Sequence, residues 1–113
     1  MMIQKVNTRG LNYAYRSKMK IVCGTDAGST PRTSPQVNEL IYYVQKAGFS
    51  PLDAIRTAPV TAAEMLKLNE LGSLQAGFLA DILLYKGNPL KNILVLKNIE
   101  FVMKNGKIYK EPK

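Results

Sequence analysis

Histidine is absent from this chain of 113 residues. That absence excludes a cysteine–histidine nucleophilic pair, a serine–histidine–aspartate triad and a histidine-ligated zinc site built from these residues alone. Tryptophan is absent too, and the one cysteine, Cys23, cannot form an intrachain disulfide, in agreement with a reducing compartment. No apolar run approaches the ~20 residues that a membrane span requires. The start Met1-Met2-Ile3-Gln4-Lys5 has no apolar stretch of roughly 7–15 residues behind it, so no secretory signal is read and the cytoplasm is the expected location.

Acidic residues are scarce, 8 against 16 basic, for a net charge of +8. Such a balance invites a nucleic-acid or anionic-membrane reading, and its distribution argues against both. The cations are scattered, with Lys5, Arg9, Arg16, Lys18 and Lys20 at the front and Lys86 to Lys113 at the back, in no block and with no interleaved aromatic stripe. The expectation is therefore no nucleic acid and no membrane, but a solvated basic surface or one that faces an acidic partner segment.

What is present is ordinary for a globular domain, with 46% hydrophobic and 21% charged residues. A chain this long would bury roughly two-thirds of its unfolded surface if it folded alone. Leu11, Ala14 and Tyr15 lie at helical spacing and predict a short helix, followed by a strand over Lys20 to Cys23. Ser34 and Pro35 read as N-cap and first residue of a helix with Val37, Leu40, Ile41 and Val44 on its apolar face and Gly48 as its stop. Ser50-Pro51-Leu52-Asp53 starts a second helix that runs to about Thr57, and Thr61-Ala62-Ala63-Glu64 reads as a capping box opening a third after Pro59. Beyond Asn69 the texture becomes β. Ala80 to Tyr85 predicts a buried strand, and Asn105-Gly106 between two apolar runs predicts a hairpin.

The chemistry concentrates in Ile21-Val22-Cys23-Gly24-Thr25-Asp26-Ala27-Gly28-Ser29, where a short apolar run delivers an acid into a Gly-rich turn. A barrel strand presents a catalytic carboxylate in this way, and Asp26 there could ligate a metal or take a proton from metal-bound water. The hexapeptide alone leaves a second reading open, in which Asp26 hydrogen-bonds its own turn. It is not a P-loop, because it lacks the Gly-Lys-Ser/Thr ending. Cys23 reads as a small core hydrophobe, Ser29 and Ser34 as turn and cap residues, and Asp53, Glu64 and Glu70 as acids at helix ends without chemistry.

Gly24-Thr25-Asp26-Ala27-Gly28-Ser29, then Glu39-Leu40, the run Ala47 to Ala58, the run Leu71 to Leu84 and Gly87-Asn88-Pro89-Leu90 occur in an order that resembles the closing segment of metal-dependent amidohydrolases. The similarity covers about residues 11 to 110 and is closest to imidazolonepropionase-like and Xaa-Pro dipeptidase-like (prolidase-like) members. The resemblance implies an α/β fold, the C-terminal fragment of a TIM-barrel (β/α)8 amidohydrolase. Met19 to Cys23 would be the last barrel strand, residues 1–70 that strand with its flanking helices, and residues 71–113 strands of a small composite β-sandwich. It implies Asp26 as metal ligand and proton shuttle, and zinc or another divalent metal in the intact enzyme. The His-X-His pair, two further histidines and bridging lysine of the family map to nothing here, and Thr30-Pro31-Arg32-Thr33-Ser34-Pro35 stands where many relatives carry a histidine.

The implied function is the C-terminal portion of a metal-dependent hydrolase of C–N bonds in an amide, cyclic amide or dipeptide, inactive and metal-free as this chain alone. Its partner would be the missing N-terminal barrel segment. Two alternatives stand beside it: a non-catalytic module that pairs with itself as a homo-oligomer, and one half of a split hydrolase.

Overall fold

The computed structural model describes residues 2–24 and 36–113, and of residues 2–6 the backbone alone. Helix α1, Met2–Arg16, is longer than the apolar spacing predicts. It ends where Lys18 takes a left-handed conformation (φ 59), so that Lys18 N–H reaches the Tyr15 carbonyl at 3.0 Å and Met19 N–H the Ala14 carbonyl at 3.0 Å. This double closure is the usual task of glycine, and lysine performs it here.

Helix α2, Val37–Gln45, begins at Gln36, whose side chain makes no capping bond. The expected cap, Ser34 with Pro35, lies outside the described residues. Gly48 follows at φ +78, as the stop requires. A Cβ there would stand 3.0 Å from Asn12 Nδ2, which donates to the Ala47 carbonyl at 2.8 Å and ties α1 to the end of α2. Helix α3, Pro51–Arg56, has the cap read from its sequence, with Ser50 Oγ accepting from Asp53 N–H at 3.1 Å. Helix α4, Val60–Met65, departs from expectation. It starts at Pro59, whose φ of −81 already suits a helix, so Thr61 lies inside the first turn and caps nothing. Glu64 turns outward instead and pairs with Lys20 at 3.0 Å.

Two core clusters meet on α2. Tyr43, Ala47, Phe49 and Ala54 form one, against which Leu11, Tyr15, Ile21 and Cys23 pack; Ile41, Ile93 and Leu96 form the other. Tyr15 stacks on Phe49 with ring centroids 4.0 Å apart and an interplanar angle of 15°. Ile93–Lys97 is a 3₁₀ helix whose Asn92 side chain accepts from Leu94 N–H at 3.1 Å, an element the apolar pattern did not reveal.

The sheet holds β1 (Ile82–Tyr85), β2 (Ile99–Lys104) and β3 (Lys107–Lys110) in antiparallel order β1-β2-β3, with Ile82 opposite Met103 and Met103 opposite Ile108. Asn105 (φ 48) and Gly106 (φ 76) make the tight turn that their sequence predicts. Asp81 holds the turn down, its Oδ1 accepting from Asn105 N–H at 2.7 Å. β1 corrects one expectation. The strand is not buried, since Leu83 and Leu84 are 50% and 51% exposed.

The expected barrel strand is a second difference. The run from Met19 to Gly24 belongs to no helix and pairs with no strand among the described residues. Among the described residues its one backbone bond beyond the α1 terminus is Cys23 N–H to the Thr57 carbonyl at 3.1 Å. A ladder needs a neighbouring strand, and no described segment provides one. The total surface agrees with this openness: 8803 Å2 is accessible, where a compact monomer of this mass exposes about 6,200 Å2. The radius of gyration is 15.0 Å, against about 13 Å for a compact chain of this length. Roughly half of the unfolded surface is buried, rather than the two-thirds expected from length. No helix among the described residues is long and apolar enough to cross a membrane.

Candidate functional site

Asp26, the one candidate for catalysis and metal ligation, lies outside the described residues, as do Ser29 and Ser34. The structure does describe what leads to it. Ile21 and Cys23 pack on the Tyr43 and Phe49 cluster, and Cys23 N–H is fixed to Thr57, whose own Oγ1 donates to the Ala54 carbonyl at 2.6 Å. Thr57 is buried at the C-cap of α3, so the end of α3 anchors the backbone at the residue just before Gly24, three positions ahead of Asp26 in the chain.

Cys23 behaves as its apolar surroundings suggest. Burial pushes its thiol up from the ordinary value, a hydrogen bond with Tyr43 opposes the rise, and the charge of Glu39 adds to it. Tyr43 is itself pushed up to about 12, chiefly by burial. Neither group is ionised near neutrality, so the pair is a buried structural contact and not a nucleophile with its base.

Asp53 sits on a different network. The Tyr15 hydroxyl donates to its Oδ2 at 2.7 Å, and that bond, with a smaller contribution from Ser50, holds the carboxyl below the usual range. It stands in the first turn of α3, whose cap is Ser50, and its carboxylate joins that turn to Tyr15 of α1.

Beside these residues lies an open cavity of about 490 Å3, with Arg16, Lys18, Lys20, Arg56, Asp53 and Glu64 among its lining. Four cations meet two acids there. The acids are engaged, Glu64 by Lys20 and Asp53 by Tyr15, and no ion pair of Arg16, Lys18 or Arg56 occurs among the described residues. Arg16, Lys18 and Lys20 are closely spaced in the linear charge pattern, which hid only the approach of Arg56, Asp53 and Glu64 from α3 and α4.

A catalytic metal is a poor match to what is described. No group of three or more histidine, cysteine, aspartate or glutamate side chains converges among the described residues, and the chain has no histidine at all. Three or four ligands are needed for a divalent metal in a hydrolase, so the described donor set does not fit one.

The comparisons with known proteins place this arrangement. The model of the amidohydrolase family matches residues 2–109. Ochratoxinase of Aspergillus niger is 33% identical over 106 residues, which is 88% of this chain and 21% of that protein. The crystal structure of a Xaa-Pro dipeptidase superposes with a TM-score of 0.84 at 36% identity, covering 91% of this chain and 25% of the other. The structure of the Aspergillus niger ochratoxinase covers 93% of this chain and 25% of the other with a TM-score of 0.81. The chain thus spans a fifth to a quarter of the length of these relatives. With the family model matched over nearly its whole length and the same fold shared with solved members, this chain belongs to the amidohydrolase family.

Proposed function

We propose that these 113 residues serve as the C-terminal portion of a metal-dependent amidohydrolase that cleaves a C–N bond in an amide, cyclic amide or dipeptide. Asp26 is the one metal ligand and proton-handling group that they contribute. The observation that carries the reading is the superposition on a Xaa-Pro dipeptidase over 91% of the chain at a TM-score of 0.84. Histidine ligands must come from outside this stretch, since it contains none. By itself the chain therefore binds no zinc and turns over no substrate, and no catalytic step can be assigned to its described residues.

The test has two arms. The purified chain, dialysed and measured for zinc by mass spectrometry, is expected to be metal-free and inactive on Xaa-Pro dipeptides. The same residues exchanged into the Xaa-Pro dipeptidase in place of their counterpart are expected to support hydrolysis, and Asp26→Asn in that chimera to lower kcat by about 10²-fold or more. Stoichiometric zinc with turnover by the chain alone would refute the incompleteness, and full activity of the Asp26→Asn chimera would refute the role of Asp26.

A further inference from the structure

Asn105 is the only asparagine of the chain that is followed by glycine. Glycine has no side chain to obstruct its own nitrogen, so that nitrogen can attack the asparagine side-chain amide once it loses its proton. Both residues are exposed, and a Cβ on Gly106 would meet nothing within 4 Å among the described residues, so water reaches the pair. Lys104 and Lys107 stand opposite each other across the turn, and two cations there favour the anion that the Gly106 nitrogen must become. Against this the turn is held from the side of β1. Asn105 N–H donates to Asp81 Oδ1 at 2.7 Å and Gly106 N–H to the Ala80 carbonyl at 3.1 Å, so two consecutive turn amides end on two consecutive residues. The clamp is itself fixed in place, since Leu79 N–H donates to the Glu70 carbonyl at 2.9 Å and Asp81 N–H to the Leu79 carbonyl at 2.9 Å. The proton that the reaction must remove is the one held by Ala80.

We propose that Asn105 is a self-modification site, converted through a cyclic imide to aspartate and isoaspartate at a rate set by the Ala80-Asp81 clamp on its turn. The inference goes beyond the hydrolase reading and uses neither Asp26 nor a metal. Water is the one co-reactant. The Gly106 nitrogen gives up its proton and bonds to Asn105 Cγ, the Cγ–N bond of the side-chain amide breaks, and ammonia leaves carrying that proton. Water then opens the five-membered imide at either carbonyl. Opening at Cγ leaves aspartate, whose charge enters a turn flanked by Lys104 and Lys107. Opening at the main-chain carbonyl leaves isoaspartate, in which the chain runs through Cβ and Cγ and is one atom longer. A two-residue turn cannot take up that atom and keep Lys104 opposite Lys107 and Met103 opposite Ile108, so the modification loosens β3 from β2. Imide formation needs the turn opened, so two hydrogen bonds broken together lower the rate by the fraction of time that the turn is open.

The test incubates the full chain at neutral and mildly alkaline pH and then cleaves it after glutamate in mild acid. The released peptide Phe101 to Glu111 is read by mass and by chromatography, which separates the asparagine, aspartate and isoaspartate forms. A synthetic peptide of the same residues gives the unclamped rate. The folded chain is expected to convert roughly ten- to a thousandfold more slowly than the peptide. Asp81→Ala deletes one acceptor and is expected to raise the rate at least about threefold, whereas Asp81→Asn keeps Oδ1 and is expected to stay within about twofold of wild type. Amide hydrogen exchange at Gly106 follows the same proton. It is expected to be slowed relative to the peptide by the same factor as the conversion, within about threefold, because both pass through one opening.

A folded chain that converts as fast as the peptide would overturn the clamp, and so would an Asp81→Ala variant, folded by circular dichroism, that converts at the wild-type rate. If Asp81→Ala does not fold, the wild-type comparison decides. A mismatch well beyond threefold between Gly106 exchange and conversion then overturns the proposal. Conversion at another asparagine ahead of Asn105, or slower than the thousandfold bound, would remove Asn105 as the site. No metal and no turnover enter these readouts. An active chimera beside an unmodified Asn105 therefore refutes this inference alone, and an inactive chimera beside a clamped, converting Asn105 refutes the hydrolase role alone.

Discussion

Tyr15 acts through both ends of its side chain. The ring stacks on Phe49 at 4.0 Å, and the hydroxyl donates to Asp53 at 2.7 Å while lying 3.3 Å from the Ser50 N–H that donates to it. Tyr15→Phe keeps the stack and deletes the hydroxyl, so the expected loss is about 1 kcal/mol in urea unfolding at neutral pH. The pH dependence follows from the direction of the Asp53 shift. Its folded carboxyl titrates below the unfolded one, so the contribution is present above the ordinary carboxylate value and is lost as pH falls through the folded value. Tyr15→Phe should flatten that acid-side loss, and equal slopes in wild type and variant would show that the hydroxyl does not govern Asp53. Cys23 gives a second expectation at this scale. With its thiol raised by burial, alkylation by iodoacetamide at neutral pH should be slower than that of free glutathione. Faster alkylation would mean that the packing of Cys23 on Tyr43 opens in solution.

At the scale of elements, the joint between α4 and the loop after it depends on Gly72. At φ +92 a side chain is strained, and a Cβ would stand 2.8 Å from the Pro59 carbonyl oxygen and 3.1 Å from the Ala63 Cβ. Gly72→Ala is expected to destabilise the chain by more than about 1 kcal/mol, measured by thermal or urea unfolding; a neutral variant would show that the loop swings free of α4. Elements decided by neighbours along the chain are legible in the sequence itself. Ser50 capping Asp53 and the Asn105-Gly106 turn are local chemistry, each within a single turn of chain, and both form as their residues predict. Elements decided by distant partners are not legible in this way. Met19 to Gly24 has the composition of a strand but no partner strand in the described chain, and Ile82–Tyr85 has the composition of a buried strand but leaves Leu83 and Leu84 half exposed. Lys18 and Lys67, which end α1 and α4 in left-handed conformations, give no sequence signal because glycine is the residue that marks such a stop. Of the candidate site, Asp26 is legible as a motif, and so are the closely spaced Arg16, Lys18 and Lys20, whereas the approach of Arg56, Asp53 and Glu64 to them depends on the packing of distant segments.

At the scale of the whole molecule, the open surface has a thermodynamic signature that does not depend on which partner covers it. Unfolding this chain exposes about 9,500 Å2, the difference between an unfolded surface of about 18,300 Å2 and the 8803 Å2 of the folded chain. A compact domain of the same mass would expose about 12,100 Å2. Because the urea m-value follows the area exposed, it should be smaller than that of a compact domain of equal length by roughly a fifth. The corresponding heat-capacity change should be reduced in the same sense, since exposed Leu83, Leu84, Met65 and Leu66 are already hydrated in the folded chain. The measurement is urea unfolding at micromolar and at higher concentration. A low m-value with a midpoint independent of concentration is the outcome for an open monomer. A full-sized m-value whose midpoint rises with concentration would mean that copies cover one another's apolar faces, and the repulsion expected between two +8 chains would then be overcome by the area they bury.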